Sequence, residues 1–450
     1  MPNIFAYVIL IAWPIFSIFF YKKLDIITAT FLTIVGGYML LPVRVDIDLP
    51  LLPALDQNSI PALTSFLCCR FVKKINISLI PTGGAEKGFV IALLLLPFVT
   101  VMNNFEPVYN GAYWKSGLTL YDSISAILLS YLKILPFIIA VQVIKTHQNL
   151  MLIIKLLVMA GLCYSLLILF EIRMSPKLHT WIYGFFPHSW AQQARFGGFR
   201  AVVFMGHGLL VSMFIAICLA CASINFKNKI KTFNIPPLFI VLYLFFVLIV
   251  SKSVGAFILG LGLMLCIMYM PNLIKKKVTL TIISLVILYP IFSMFGLFPH
   301  LDLLELVHGW SPERAQSLEF RFYHEMRLLE HAQQKLFFGW GAWGRNRLAD
   351  SVTDGYWITI LSSYGAMGFS LIFGLAAFCI YKALKVSTLA TSKAEQALII
   401  NFALLIAIIM LDQIPNTSIY GWSWLLIGGL LGRANYLNQK AKTYLKGSYS

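Results

Sequence analysis

The chain has 450 residues, of which 59% are hydrophobic and only 12% charged, and its mean hydropathy is +0.81. That composition excludes an ordinary soluble domain. A formal charge of +17 does not make the chain a nucleic-acid binder either, because its basic residues are scattered between apolar runs. Runs long enough to cross a bilayer recur from end to end. They predict one all-α, polytopic integral membrane domain over residues 1–450, with about 12–13 transmembrane helices.

In chain order, spans are predicted at Ile4–Tyr21, Ile26–Leu41, Ile60–Val72, Gly88–Met102, Asp122–Ile144, Leu150–Phe170 and Ala201–Ile224. They continue at Pro236–Val250, Val254–Met270, Val278–Leu297, Tyr356–Tyr381, Leu398–Leu411 and Tyr420–Leu431. The first ends in Tyr21-Lys22-Lys23 without a small-residue cleavage site and reads as a retained helix rather than a signal peptide. The third is short, and the last two are marginal. All seven cysteines fall in or beside spans, without metal-ligand spacing to histidine, and read as small core residues. No metal and no cofactor is expected.

With the C-terminus inside, the inner turns hold 20 of the 35 basic residues but, of the 18 acids, only Asp25, Glu86 and Glu395. The positive-inside rule therefore predicts the orientation. The outer segments are then Val43–Ser59, Asn103–Tyr121, a second periplasmic loop over residues 171–200, and the Ser251-Lys252-Ser253 turn. The largest is a periplasmic loop over residues 298–355. From Gln316 to Phe338 this loop has helical periodicity, with Phe322, Met326 and Leu329 on one face and Arg321, His324, Glu325 and Leu328 around another. Two accounts stay open: a helix resting among headgroups with solvated charges, or one that carries a site.

Arg195 and Arg200, in ARFGGFR before an apolar run, suit a phosphate or diphosphate at headgroup depth, since guanidinium offers paired donors to phosphate oxygens. They would also serve as plain interfacial anchors. Gly197 and Gly198 permit a sharp turn or a close backbone approach. The large loop adds Arg321, His324, Arg327, His331, Arg345 and Asp354 on the same membrane face. FFGWGAWGRN, from Phe337, matches neither a Walker loop nor GxGxxG, and neither a nucleophile motif nor HExxH is present. An ion-coupled transporter would place ionisable groups near the bilayer midplane. The spans hold only Lys133 and Lys155 at depth, and Lys155 is within snorkelling reach of the inner end.

The order of motifs resembles the O-antigen ligase/polymerase superfamily. Arg195-Phe-Gly-Gly198 is similar to its RxxG, and Ser251-Lys-Ser253 stands in the place of its SR turn. Arg321 leads a loop helix, Phe338–Gly341 is the FGxG turn, and Asp354-Gly355 precedes Gly365-Ala-Met-Gly368 by nine residues. The resemblance implies a GT-C-like helical fold at a bacterial inner membrane with its site facing the periplasm. It implies transfer of a saccharide from polyprenyl diphosphate to an acceptor hydroxyl, without metal or nucleotide. Arg195 and Arg321, with Arg200, would hold the diphosphate, and Lys252, His324, Arg327 and Arg345 would help bind substrate. The family's catalytic histidine falls on Asp354, a carboxylate that can still accept a proton; His324 or His331 are alternatives. This departure favours a polymerase of an exopolysaccharide or O-antigen-type glycan over a ligase acting on lipid A-core or a protein acceptor. A transporter or flippase of lipid-linked saccharide and a non-catalytic assembly subunit are the rival classes. The expected partners are a polyprenyl-diphosphate-linked oligosaccharide, a glycan acceptor, the lipid bilayer and other polysaccharide-assembly proteins, with no nucleic acid.

Overall fold

The computed structural model describes residues 1–48, 53–110, 113–195, 197–352 and 354–447. Its helices are α1 (Ile4–Lys23), α2 (Ile26–Leu40), α3 (Ser59–Leu67), α4 (Gly84–Met102), α5 (Leu120–Val143), α6 (His147–Met174), α7 (Leu178–Tyr183) and α8 (Gly208–Lys227). They continue as α9 (Pro237–Val250), α10 (Val254–Tyr269), α11 (Asn272–Met294), α12 (His300–Trp310), α13 (Pro312–Gln333), α14 (Tyr356–Val386), α15 (Lys393–Asp412) and α16 (Gly421–Gly447). Three two-stranded hairpins lie in connections at one end of the bundle. They are β1–β2 (Asp46–Ile47 with Leu55–Asp56), β3–β4 (Val108–Asn110 with Tyr113–Lys115) and β5–β6 (Ala194–Arg195 with Gly198–Phe199).

Eight of the described helices are long and apolar enough to cross a membrane, and four segments at α2, α3, α9 and α10 are shorter apolar helices. The chain is a multi-pass helical membrane protein. Local chemistry sets where the helices start. Thr119 with Asp122 and Thr146 with Asn149 form capping boxes for α5 and α6, and Asp25 and Ser392 cap α2 and α15. Because α8 is apolar on every side it can sit in the middle: 89% of its best window is buried, against 28% for α1 at the lipid-facing rim. Small residues allow the closest helix approaches. A Cβ added at Gly428 or Gly432 of α16 would fall 2.4 Å from the Phe137 carbonyl oxygen or 2.7 Å from that of Val141 on α5.

At the end away from the hairpins, buried carboxylates are paired. Glu86 receives Lys382 at 3.3 Å and the Asn435 amide at 2.7 Å, and Glu395 pairs with Arg433. These bonds tie α4, α14, α15 and α16 together.

Each span predicted from the sequence overlaps a helix, and three departures from the sequence reading bear on the site. The span predicted over Ala201–Ile224 is helical only from Gly208. Residues 201–205 are buried and irregular, and their amides are satisfied by protein: Val202 and Val203 each donate to Glu171 at 2.8 Å, and Phe204 donates to the Tyr164 hydroxyl at 3.1 Å. Non-helical backbone at such a depth requires partners of this kind.

The loop helix predicted over Gln316–Phe338 spans Pro312–Gln333, and a helix not anticipated, α12, precedes it. Met326 is exposed while His324 and Leu328 are buried, because α13 packs into the bundle through Leu328, Leu329 and Ala332.

The third difference is a break in α14 at Gly365, whose φ of 66° and ψ of −169° are open only to glycine. The break frees backbone groups that the FGWG turn then satisfies. Trp340 and Gly341 donate to the Ser362 and Ser363 carbonyls at 2.9 Å, and Ala366 and Met367 donate to those of Leu336 and Phe337 at 2.7 and 3.2 Å. The glycine-rich turn is a splice between loop and helix.

Candidate functional site

Two parts of the chain, more than a hundred residues apart, build the site. The first is the tight hairpin β5–β6. Gly197 turns it with φ of +67°, and Phe196 lies outside the described residues. The hairpin docks on the Ser251–Ser253 turn: Lys252 Nζ donates to the Arg195 carbonyl, and Arg200 Nη2 donates to the Lys252 carbonyl, each at 3.2 Å. Arg200 is thereby buried beside the Glu171-anchored segment 201–205. The second part is α13 with Asp354, which stands just before α14. Arg321 Nε lies 3.2 Å from Asp354 Oδ2, with both side chains partly exposed, and Thr417 holds the Asp354 carbonyl at 3.0 Å.

The charges of the two parts meet. Burial, then Arg195, Arg314 and Arg321, push the Arg200 guanidinium down to about 10. Arg314 is lowered by burial and by Arg195 and Arg321, and Glu313 opposes that effect. His207 is pushed down to about 3 by burial and by His188, Arg200, Arg321 and Arg195, so it stands neutral and accepts the Leu209 amide at 3.0 Å. Its ring packs edge-on against His188 at 4.6 Å. A group of guanidiniums whose strongest mutual influences are repulsive is a place where an anion lowers the energy.

Beside this group Arg321, Asp354, His324 and Glu325 line a cleft of about 540 Å³, counting the part open to solvent. Its apolar wall is Leu318, Phe322, Leu328, Ile358 and Ile414.

Of the residues singled out from the sequence, Arg195, Arg200, Arg321 and Asp354 therefore come together, and Lys252 holds the hairpin that carries the first two. His324 stays at the cleft, buried between Phe320 and Tyr323 with Nδ1 unpartnered.

Arg327 and Arg345 are placed differently. Arg327 makes a two-pronged pair with Asp350 at 2.7 and 3.0 Å on the outer side of α13. Arg345 is 1% exposed and donates to the carbonyls of Trp340, Ser116 and Glu106 and to Asn104 Oδ1. It clamps loops together. His331 belongs to the same clamp, bonded to the Arg345 carbonyl at 2.9 Å and stacked flat on Trp340.

Two residues went unremarked as site members. Arg314 stands two helical turns before Arg321, so the seven-residue spacing carried a signal for one shared face. The helical spacing puts Glu325 on the Arg321 face, but nothing in the sequence marks it as desolvated.

No family model matches the chain, and no curated protein matches it either.

Proposed function

We propose that this protein is a membrane glycosyltransferase of GT-C-like architecture. It transfers a saccharide from a polyprenyl-diphosphate carrier to an acceptor hydroxyl, extending an exopolysaccharide or O-antigen-type glycan. In this reading the cleft faces the periplasm of a bacterial inner membrane. The loops at 171–200 and 298–355 then lie on that side, and the C-terminus is cytoplasmic, in keeping with the basic turns at the other end. The observation that carries the proposal is the convergence of Arg195, Arg200, Arg314 and Arg321 beside a cleft that also holds carboxylates.

The chemistry follows from where charge develops. A lipid-linked donor keeps its tail in the bilayer and presents its diphosphate at the interface. As the bond between sugar and phosphate breaks, the bonding pair leaves with the diphosphate. Guanidiniums already in place stabilise that departing charge more than the ground state. By analogy with oxyanion-hole donors, each such contact contributes about 2.7–4 kcal/mol to the barrier. The attacking hydroxyl must surrender its proton to a base at the cleft, expected from the sequence to be Asp354.

The test is to supply purified protein with a polyprenyl-diphosphate oligosaccharide. Lengthening of the lipid-linked glycan supports a polymerase; passage to lipid A-core or a protein acceptor supports the ligase alternative; no transfer refutes both.

One observation favours a second reading, transport of a lipid-linked saccharide. Lys133, near the middle of α5, lines a cleft of about 680 Å³, counting the part open to its surroundings, with Ser130, Tyr356, Tyr364 and Trp424, and has no hydrogen-bond or ion-pair partner among the described residues. Under that reading, Lys133→Met abolishes flux of a fluorescent lipid-linked saccharide across proteoliposomes. Under glycosyl transfer, wild-type protein carries no such flux.

A further inference from the structure

Glu325 follows Arg321 by one helical turn on α13, and both side chains line the cleft with Asp354. Their partners differ. Asp354 is committed to the Arg321 guanidinium. Glu325 receives only neutral donors: the Tyr289 hydroxyl at 2.7 Å and the Ser293 hydroxyl at 3.5 Å, both from the last two turns of α11. The other carboxylates with charged partners pair with Lys335, Arg327, Lys382 or Arg433, and buried Glu171 accepts three backbone amides. Among the described residues Glu325 is thus a desolvated carboxyl on the cleft without a cation to hold it ionised.

Around Glu325 stand Tyr289 on α11, Arg321 and His324 on its own helix, and Asp354 ahead of α14. Tyr289 is itself wedged edge-on between Trp357 at 5.2 Å and Phe298 at 5.0 Å. His300, at the start of α12, packs on Phe322 at 4.6 Å. Burial pushes the Glu325 carboxyl up to about 7, and the hydroxyl donors hold it from rising further.

We propose that Glu325, rather than Asp354, is the catalytic base that takes the proton of the attacking hydroxyl, while Asp354 positions Arg321. The inference rests on the glycosyl-transfer reading above. In the step, the acceptor oxygen bonds to the anomeric carbon and its proton passes to the Glu325 carboxylate. The bond from the anomeric carbon to the phosphate oxygen breaks, and its electron pair leaves on the diphosphate, held by the arginines. A base whose affinity for protons matches the working pH is stronger than an ion-paired carboxylate and is still deprotonated in a useful fraction of molecules.

Full-length protein in detergent, given a polyprenyl-diphosphate oligosaccharide as donor and acceptor, tests this. Wild-type rate is expected to rise with pH through an inflection near 7. Above the inflection Glu325→Gln should lose about 10²–10⁴-fold, a loss that narrows at acid pH because the variant's own profile has no inflection, and its donor KM should be unchanged. Azide separates a base from a merely structural group, because it attacks the anomeric carbon without a proton to lose. Glu325→Gln should form glycosyl azide at the wild-type rate, and Arg321→Ala should not. Tyr289→Phe leaves Glu325 in place and removes a donor to its charged form, so its inflection should move to higher pH; this arm decides the matter if the Gln variant does not fold.

Glu325→Gln transferring to the hydroxyl at near wild-type rate overturns the proposal, as does equal loss of azide and hydroxyl transfer or an unmoved inflection in Tyr289→Phe. Wild-type protein that makes no product with either nucleophile overturns the glycosyl-transfer reading itself.

Discussion

Replacing Gly365 with alanine tests the splice that holds the loop against the bundle. The residue's φ of 66° and ψ of −169° cost a non-glycine residue about 1–3 kcal/mol. An added Cβ would lie 2.3 Å from the Phe337 carbonyl, so backbone must also move. Four backbone hydrogen bonds cross this junction. Losing half of them, at about 0.5–1.5 kcal/mol each, brings the total to about 2–6 kcal/mol. The cost is local, because α14 on either side of the break keeps its own helical bonds. The FGWG turn should detach and release the C-terminal end of α13, two to three turns beyond Arg321 and Glu325. Trypsin cleavage after Lys335, Arg345 or Arg347 in membrane vesicles should speed up at least tenfold, with a lower Tm in detergent. A Gly365→Ala protein with wild-type Tm and wild-type trypsin resistance would refute the splice.

Further outcomes follow from the same geometry. Arg321→Ala should slow saccharide transfer by about 10²–10³-fold, whereas Arg327→Ala, which breaks a solvent-screened pair with Asp350 on the outer side of α13, should stay within a few-fold. Equal losses in the two variants, measured as initial rates, would contradict the assignment. Arg345→Met should lower Tm without regard to substrate, because the carbonyls of Ser116, Glu106 and Trp340 lose a charged donor; an unchanged melt would show that the clamp is not needed. Glu325 has a folded-state affinity for protons raised from 4.5 to about 7. Its contribution to stability is therefore complete below pH 4.5 and lost as pH rises through about 7, a change of about 3 kcal/mol. Melts of wild type and Glu325→Gln should therefore diverge over that window, with wild type falling behind at alkaline pH; parallel curves would place Glu325 in a solvated setting.

Much of the fold was legible because a membrane span declares itself. A run of apolar residues has to be helical in lipid whatever its neighbours do, since no water is there to satisfy the backbone. The segment after Arg200 broke that rule: Val202, Val203 and Phe204 are apolar yet not helical, because a carboxylate and a phenol supply the bonds a helix would have made. The glycines of FGWG and GAMG were visible as motifs, but not as two halves of one joint.

The sequence by itself determined that apolar helices recur along the chain, where the polar loop falls and that arginines stand at the ends of apolar runs, all of which depend on hydropathy and charge over a few adjacent residues. Tertiary structure alone decided which of those charges share a site. Arg314, Arg327 and Arg345 are alike as letters in one loop, yet one joins the cluster, one pairs with Asp350, and one is sunk among carbonyls, its donor to Ser116 reaching across 229 positions. Pairing and desolvation are set by atoms that distant parts of the chain bring near, and no local pattern records them.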